Sequence, residues 1–188
     1  VANEYEKQIF LKFCDESKIV IIRNGISFDE LYSSSIDFKN KYAISDRFVL
    51  FVGRFSKVKG VDTLLKAWAM INNEVRKNKV KLVIMGVDFG FEKKMFEMVE
   101  EFEIKDTIMI IKNPPRVDVI SAYKACEFLV LPSRWELSPL TPLEGFAFRK
   151  PVQMPIIILI TVDYFLQLQG KKWNLKEKFA VQAVNLYN

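Results

Sequence analysis

Five short runs along the chain are almost unbroken in Val, Ile, Leu, Met and Phe: residues 18–22, 48–52, 81–85, 107–111 and 128–131. Each stops at a turn signal. Asn24-Gly25 follows the first, Gly53 the second, Gly86 the third, Asn113-Pro114-Pro115 the fourth and Pro132-Ser133 the fifth. Such runs, with little polar alternation, predict strands covered on both faces. Between them the period changes. Val61, Leu64, Leu65, Trp68 and Ile71 fall three and four residues apart, with Asp62 or Thr63 as the expected N-cap. Met95, Met98, Val99 and Phe102 repeat that pattern, a shorter helix is expected over 117–126, and another opens at Thr141-Pro142. Strand and helix in alternation predict a parallel sheet with right-handed crossovers, a doubly wound α/β domain. Ligands of such sheets bind beyond the carboxyl ends of the strands, so the loops after the strands are where chemistry is expected. Beyond Pro151 the pattern predicts a strand over 153–165 and a helix over 173–187. The expected division is a ligand-binding domain over 1–152 and a tail over 153–188, packed on the same domain.

Composition narrows the chemistry. The 188 residues are 50% hydrophobic and 27% charged, which fits one globular domain with an appendage. Lys and Arg number 28 against 23 Asp and Glu, a net charge of +5 with both signs interspersed. That suits an anionic ligand and lacks the basic patch or motif of a nucleic-acid reader. There is no His at all. This excludes Ser-His-Asp and Cys-His nucleophiles, His-based zinc sites and a His general base from this chain. Cys14 and Cys126 cannot make a disulfide framework or a four-ligand site; both are expected as buried thiols, in keeping with a reducing, cytoplasmic setting. No metal site is expected. The longest apolar run, 154–162, is shorter than the roughly 20 residues a membrane span needs. The first residues lack a basic segment followed by an apolar one, so no signal peptide is expected.

Two constellations sit where the sheet should bind its ligand. In the first, Gly53 ends a buried run and lets a ligand approach the backbone, and Arg54 and Lys59 follow before a helix start. Two cations beside a helix N-terminus suit a phosphate or diphosphate; they could equally be solvated surface cations. In the second, Pro132-Ser133 leads to Glu136, Ser138, Leu140, Thr141 and Glu144. Thr141, Pro142 and Glu144 have the form of a capping box, in which Glu144 serves only its own helix. Alternatively, the amides of Leu140 and Thr141 bind an anion while Glu144 accepts the hydroxyls of a ribose and Glu136 those of a transferred sugar. The plainer reading of Glu136 is an exposed loop carboxylate.

Taken in order, these pieces resemble the C-terminal, nucleotide-sugar-binding domain of the glycosyltransferase family 4, or group 1, enzymes. Val20-Ile-Ile-Arg-Asn-Gly-Ile26 resembles the family's V-I-P-N-G-I-D segment, with Arg23 for the usual Pro. Phe51-Val-Gly-Arg54 through Lys59-Gly60 resembles F-V-G-R-L-x-x-x-K-G, and Val83-Ile-Met-Gly86 with Gly90 loosely resembles I-x-G-x-G. Glu136 and Glu144 have the E-x(7)-E spacing. The match runs from about Val1 to Val152. It implies a Rossmann-like doubly wound parallel sheet forming one half of a GT-B architecture.

The resemblance implies that Arg54 and Lys59 hold the donor diphosphate and that Ser138 to Thr141 meet the phosphates. Glu144 would bind the ribose, and Glu136 would contact and orient the donor sugar. The stretch 112–117 would lie near the base. Family members transfer a sugar from an NDP-sugar (UDP-, GDP- or ADP-sugar) with retention and without a required metal; Arg, Lys and a helix N-terminus take the leaving charge instead. Glu136 and Glu144 are not assigned as acid and nucleophile, because retention in this family does not follow the hydrolase scheme. The expected partners are the donor and an N-terminal acceptor-binding domain, in cis or in trans, with self-association a further option. This chain is expected to start after the interdomain linker, residues 4–13 resembling the helix that follows it. Peripheral membrane association is a second option for its location. After Val152 the family's glycine-rich segment is replaced by Gln153-Met-Pro-Ile-Ile-Ile. Two other readings stay open: a nucleotide-sugar-binding module without catalysis, and an unrelated interaction domain of the same fold.

Overall fold

The computed structural model of the chain describes residues 1–33 and 36–154. Five parallel strands form one sheet in the order β3-β2-β1-β4-β5. They are β1 (Arg47–Val52), β2 (Val80–Gly86), β3 (Ile108–Lys112), β4 (Phe128–Val130) and β5 (Val152–Gln153). The helices are α1 (Glu4–Phe10), α2 (Phe28–Ser33), α3 (Phe38–Lys41), α4 (Val61–Met70), α5 (Asn72–Lys77), α6 (Glu92–Glu101), α7 (Arg116–Ala125) and α8 (Leu140–Ala147). The expected α/β class and parallel sheet are therefore observed.

The central strand shows why its sequence does not alternate. Phe48 and Leu50 enter one apolar cluster with Phe38 of α3 and Val119 and Tyr123 of α7. Val49 and Phe51 enter the opposite cluster with Leu65 and Trp68 of α4 and Met95 of α6. Both sheet faces are covered, so both sets of positions must be apolar. Each fully buried Phe or Leu contributes about 1.5–3 kcal/mol relative to an exposed one. A charged group also lies within this packing. The Asp118 carboxylate of α7 is fully buried. It accepts hydrogen bonds from Lys41 (2.7 Å) and the Tyr42 hydroxyl (2.5 Å).

Several details differ from expectation. Residues 18–22 form no strand. Their bonds go to the chain start, with the Val1 ammonium donating to the Val20 carbonyl and the Ile22 amide to the Val1 carbonyl. Away from the sheet, Val20 and Ile22 remain exposed. Neither Asp62 nor Thr63 caps α4. The helix starts directly after Gly60, whose φ of 70° is left-handed, and both side chains bond Arg134 instead. Cys126 is buried as expected, but Cys14 is half-exposed. Of the strand expected over 153–165, Gln153 lies in β5 and Met154 does not; residues from 155 onward, with the 173–187 helix, lie outside the described residues. Among the described residues no helix is long and apolar enough to cross a membrane.

Candidate functional site

The loops after β1, β2 and β4 are joined to one another at the carboxyl edge of the sheet. The Phe55 amide donates to the Val87 carbonyl (2.8 Å) and the Phe89 amide to the Phe55 carbonyl (3.1 Å). This lays the loop after β1 along the loop after β2. Arg54, exposed there, places its guanidinium 4.7 Å from the Phe89 ring centroid, a contact worth about 0.5–1 kcal/mol at an exposed site. Gly53 continues β1, its amide donating to the Met85 carbonyl at 3.0 Å.

The other side of the β1 loop rests on the loop after β4. A Cβ on Gly60 would stand 2.0 Å from the Pro132 carbonyl oxygen, so only glycine permits this approach. The approach brings Lys59 to Glu136 at 2.6 Å. Ser133 Oγ donates to the same carboxylate oxygen at 2.7 Å. Both charges are largely removed from water, with Lys59 17% and Glu136 8% exposed at the side chain. Arg134 fastens the two loops. Its amide donates to the Val58 carbonyl (2.8 Å), and its guanidinium to Asp62 (2.7 and 2.8 Å), Thr63 (3.0 Å) and the Lys57 carbonyl.

Helix α8 completes the edge. It begins at Leu140 after Pro139, two residues earlier than the capping-box reading requires. Thr141 is therefore inside the helix, and its hydroxyl donates to the Val52 carbonyl at 3.4 Å. The first turn of α8 thus lies against the end of β1. Glu144 does not reach back to cap its helix. Its carboxylate, 7% exposed, pairs with Arg116 of α7 at 2.5 Å, and Arg116 also bonds Glu30 of α2 at 3.2 and 3.1 Å. Beside Glu144 lies the Tyr123 hydroxyl, fully buried and without a hydrogen-bond partner among the described residues. Burial, and then the neighbouring Glu144 charge, push its pKa well above the usual tyrosine value.

The N-terminal segment holds the loop between Glu136 and α8. Asn3 donates to the Leu137 carbonyl (2.6 Å) and Asn24 to the Ser138 carbonyl (2.9 Å). Asn24, half of the Asn-Gly turn, thereby fixes the loop that leads into α8.

The expected site residues lie on the loops after β1 and β4 and on the first two turns of α8. Lys59 and Glu136 touch; Gly53, Arg54, Leu140 and Thr141 flank the end of β1; Glu144 stands one helical turn further along α8. Arg116 falls within the stretch 112–117 expected near the base, without a role of its own; Tyr123, Ser133 and Arg134 were not singled out from the sequence. Arg116 follows Asn113-Pro114-Pro115 at the end of a strand, the position at which a ligand-edge residue is expected. Among the described residues no group of three or more His, Cys, Asp or Glu could hold a metal ion. The groups present at this edge are the cations Arg54 and Lys59, the amides at the start of α8, and the carboxylates of Glu136 and Glu144.

The model of the family described as glycosyl transferases group 1 matches residues 34–153. The chain belongs to this family. An uncharacterized glycosyltransferase of Methanocaldococcus jannaschii is 31% identical to this group 1 chain over 176 residues, covering 87% of it. The chain spans 43% of that relative's length. A D-inositol 3-phosphate glycosyltransferase of Corynebacterium urealyticum is 29% identical over 113 residues, 58% of this chain and 27% of the relative. Among solved structures, WaaG, a glycosyltransferase involved in lipopolysaccharide biosynthesis, superposes with a TM-score of 0.71 at 22% identity, over 82% of this chain and 43% of WaaG. Anabaena HepE in complex with UDP-glucose gives 0.68 at 19% identity, over 82% and 43%. These likenesses establish the fold of this group 1 domain as the Rossmann-like half of a GT-B architecture.

Proposed function

We propose that this chain binds a nucleoside-diphosphate sugar and serves as the donor half of a retaining glycosyltransferase. The observation that carries the reading is the convergence at one sheet edge of Arg54, Lys59, the start of α8 and the carboxylates of Glu136 and Glu144. HepE, of the same fold, has been crystallised with UDP and with UDP-glucose.

Each group has a physical role. The leaving diphosphate gains charge as the glycosidic bond breaks. Arg54, Lys59 and the amides of Leu140 and Thr141 stabilise that charge without a metal. Lys59 and Glu136 neutralise one another in their shielded setting. A bound diphosphate takes over the Lys59 charge and releases Glu136 to accept sugar hydroxyls, with Ser133 still holding one oxygen. Glu144 accepts the ribose hydroxyls. Glu136 and Glu144 orient the donor and do not act as an acid–nucleophile pair. The acceptor and the rest of the transfer machinery belong to an N-terminal domain, in cis or in trans.

Calorimetry with UDP, GDP and ADP and their sugars tests the reading. One diphosphate should bind with micromolar to millimolar affinity. Arg54→Ala and Glu144→Ala should each weaken it roughly ten- to hundredfold, the size expected for a charge-assisted hydrogen bond of about 1.5–3 kcal/mol. Binding of none of these ligands by the wild type would overturn the proposal.

A further inference from the structure

We propose that Arg116 is a positioning residue for the Glu144 carboxylate, and that through Glu30 it couples the ribose subsite to the N-terminal segment. The inference rests on the reading above that Glu144 receives the ribose of a nucleoside diphosphate.

Glu144 is almost fully buried on the second turn of α8, where a carboxylate needs a partner to remain in one orientation. Among the described residues, the hydrogen bond to its carboxylate comes from Arg116, whose Nη2 stands 2.5 Å from Oε1. The guanidinium is itself held from the other side. Nε donates to Glu30 Oε1 at 3.2 Å and Nη2 to Glu30 Oε2 at 3.1 Å. A planar guanidinium bonded to two carboxylates has little freedom to turn, unlike a lysine ammonium. Its backbone is fixed as well, since Arg116 is the first residue of α7 directly after Pro114-Pro115. The orientation of Glu144 is thus set from α7 and α2 rather than from its own helix.

The placement of Glu30 adds a second link. Its helix, α2, is continuous with the segment whose Asn3 and Asn24 hold the carbonyls of Leu137 and Ser138. The same segment therefore steadies the loop before α8 and, through Arg116, the carboxylate on α8. Release of that segment loosens both at once.

The test is calorimetry on the full chain with whichever of UDP, GDP and ADP binds, against its 2′,3′-dideoxy counterpart, in wild type, Arg116→Gln and Glu30→Gln. The wild type should prefer the ribose form roughly tenfold or more. Arg116→Gln should lower this preference to about twofold or less, with affinity for the dideoxy form nearly unchanged. Glu30→Gln, an exposed substitution that leaves the fold intact, should lower the same preference by roughly threefold. Equal losses for both ligands in the two variants, or an unchanged preference, would overturn the positioning role and leave the ribose reading standing. A wild type that does not distinguish the two ligands would overturn the ribose role of Glu144, and this inference with it.

Discussion

Replacing Gly60 with alanine tests the contact that brings the two halves of the site together. Gly60 lies at a φ of 70°, and an added Cβ would stand 2.0 Å from the Pro132 carbonyl oxygen and 2.7 Å from its carbon. Two costs follow. A left-handed conformation costs an L-residue about 1–2 kcal/mol. Relieving the overlap by moving the loop adds a further 1–3 kcal/mol or so, the usual size for overpacking. Together they predict a loss of about 2–5 kcal/mol, or a fall of about 7–14 °C in Tm at the middle of that range. The displacement also separates Lys59 from Glu136, now 2.6 Å apart, so nucleotide binding should weaken beyond what the stability loss explains. Chemical denaturation followed by circular dichroism gives the first quantity and calorimetry the second. Gly25→Ala is the control: its Cβ meets nothing within 4 Å and its φ is not left-handed. A Gly60→Ala protein within about 0.5 kcal/mol of wild type would refute the reasoning, since that is the scatter of ordinary surface substitutions.

Two further outcomes follow from buried groups. Tyr123→Phe removes a buried hydroxyl that has no partner among the described residues, so thermal unfolding should show a gain of about 1–2 kcal/mol; a loss larger than about 1 kcal/mol would show that the hydroxyl is bonded. Burial alone would raise the Asp118 pKa, but the bonds from Lys41 and Tyr42 outweigh it and hold the carboxyl below its usual value, while burial, and then the bond to Asp118, push Tyr42 up to about 12. A depressed carboxyl contributes stability that is full above its unfolded pKa near 3.9 and is lost as pH falls through the lower folded value. Asp118→Ala should therefore cost stability at pH 7 and flatten the acid end of the stability profile, and an unchanged acid limb would count against the assignment.

Strands β1 to β4 were legible because each is a short apolar run ended by a turn signal, and burial on both faces imposes that pattern. The first apolar run, 18–22, misled for the same reason: composition cannot tell a strand with sheet neighbours from an extended segment bonded to the chain start. The candidate site edge, where Lys59 meets Glu136, was legible from Gly53, Lys59, Glu136 and Glu144, which all follow or flank strand ends. The caps were not. Asp62 and Thr63 have ideal cap chemistry, yet Arg134, seventy-odd residues away, takes both. Thr141 and Glu144 have capping-box spacing, yet an earlier helix start and Arg116 redirect them. Local rules fail here because a long-range guanidinium bond outweighs a cap worth about 1 kcal/mol.

The strand order also divides the sheet along its sequence. The ladders of β1 with β2 and of β2 with β3 are complete within residues 47–112. The other edge of β1 pairs with Phe128–Val130. The first part carries Arg54 and Lys59, and the second carries Glu136 and Glu144. The ion pair of Lys59 with Glu136 and the clasp of Arg134 on Asp62 both cross the seam between the two. An anion held by both parts acts on that seam by mass action. It ties the two parts of the sheet together without adding to either one alone.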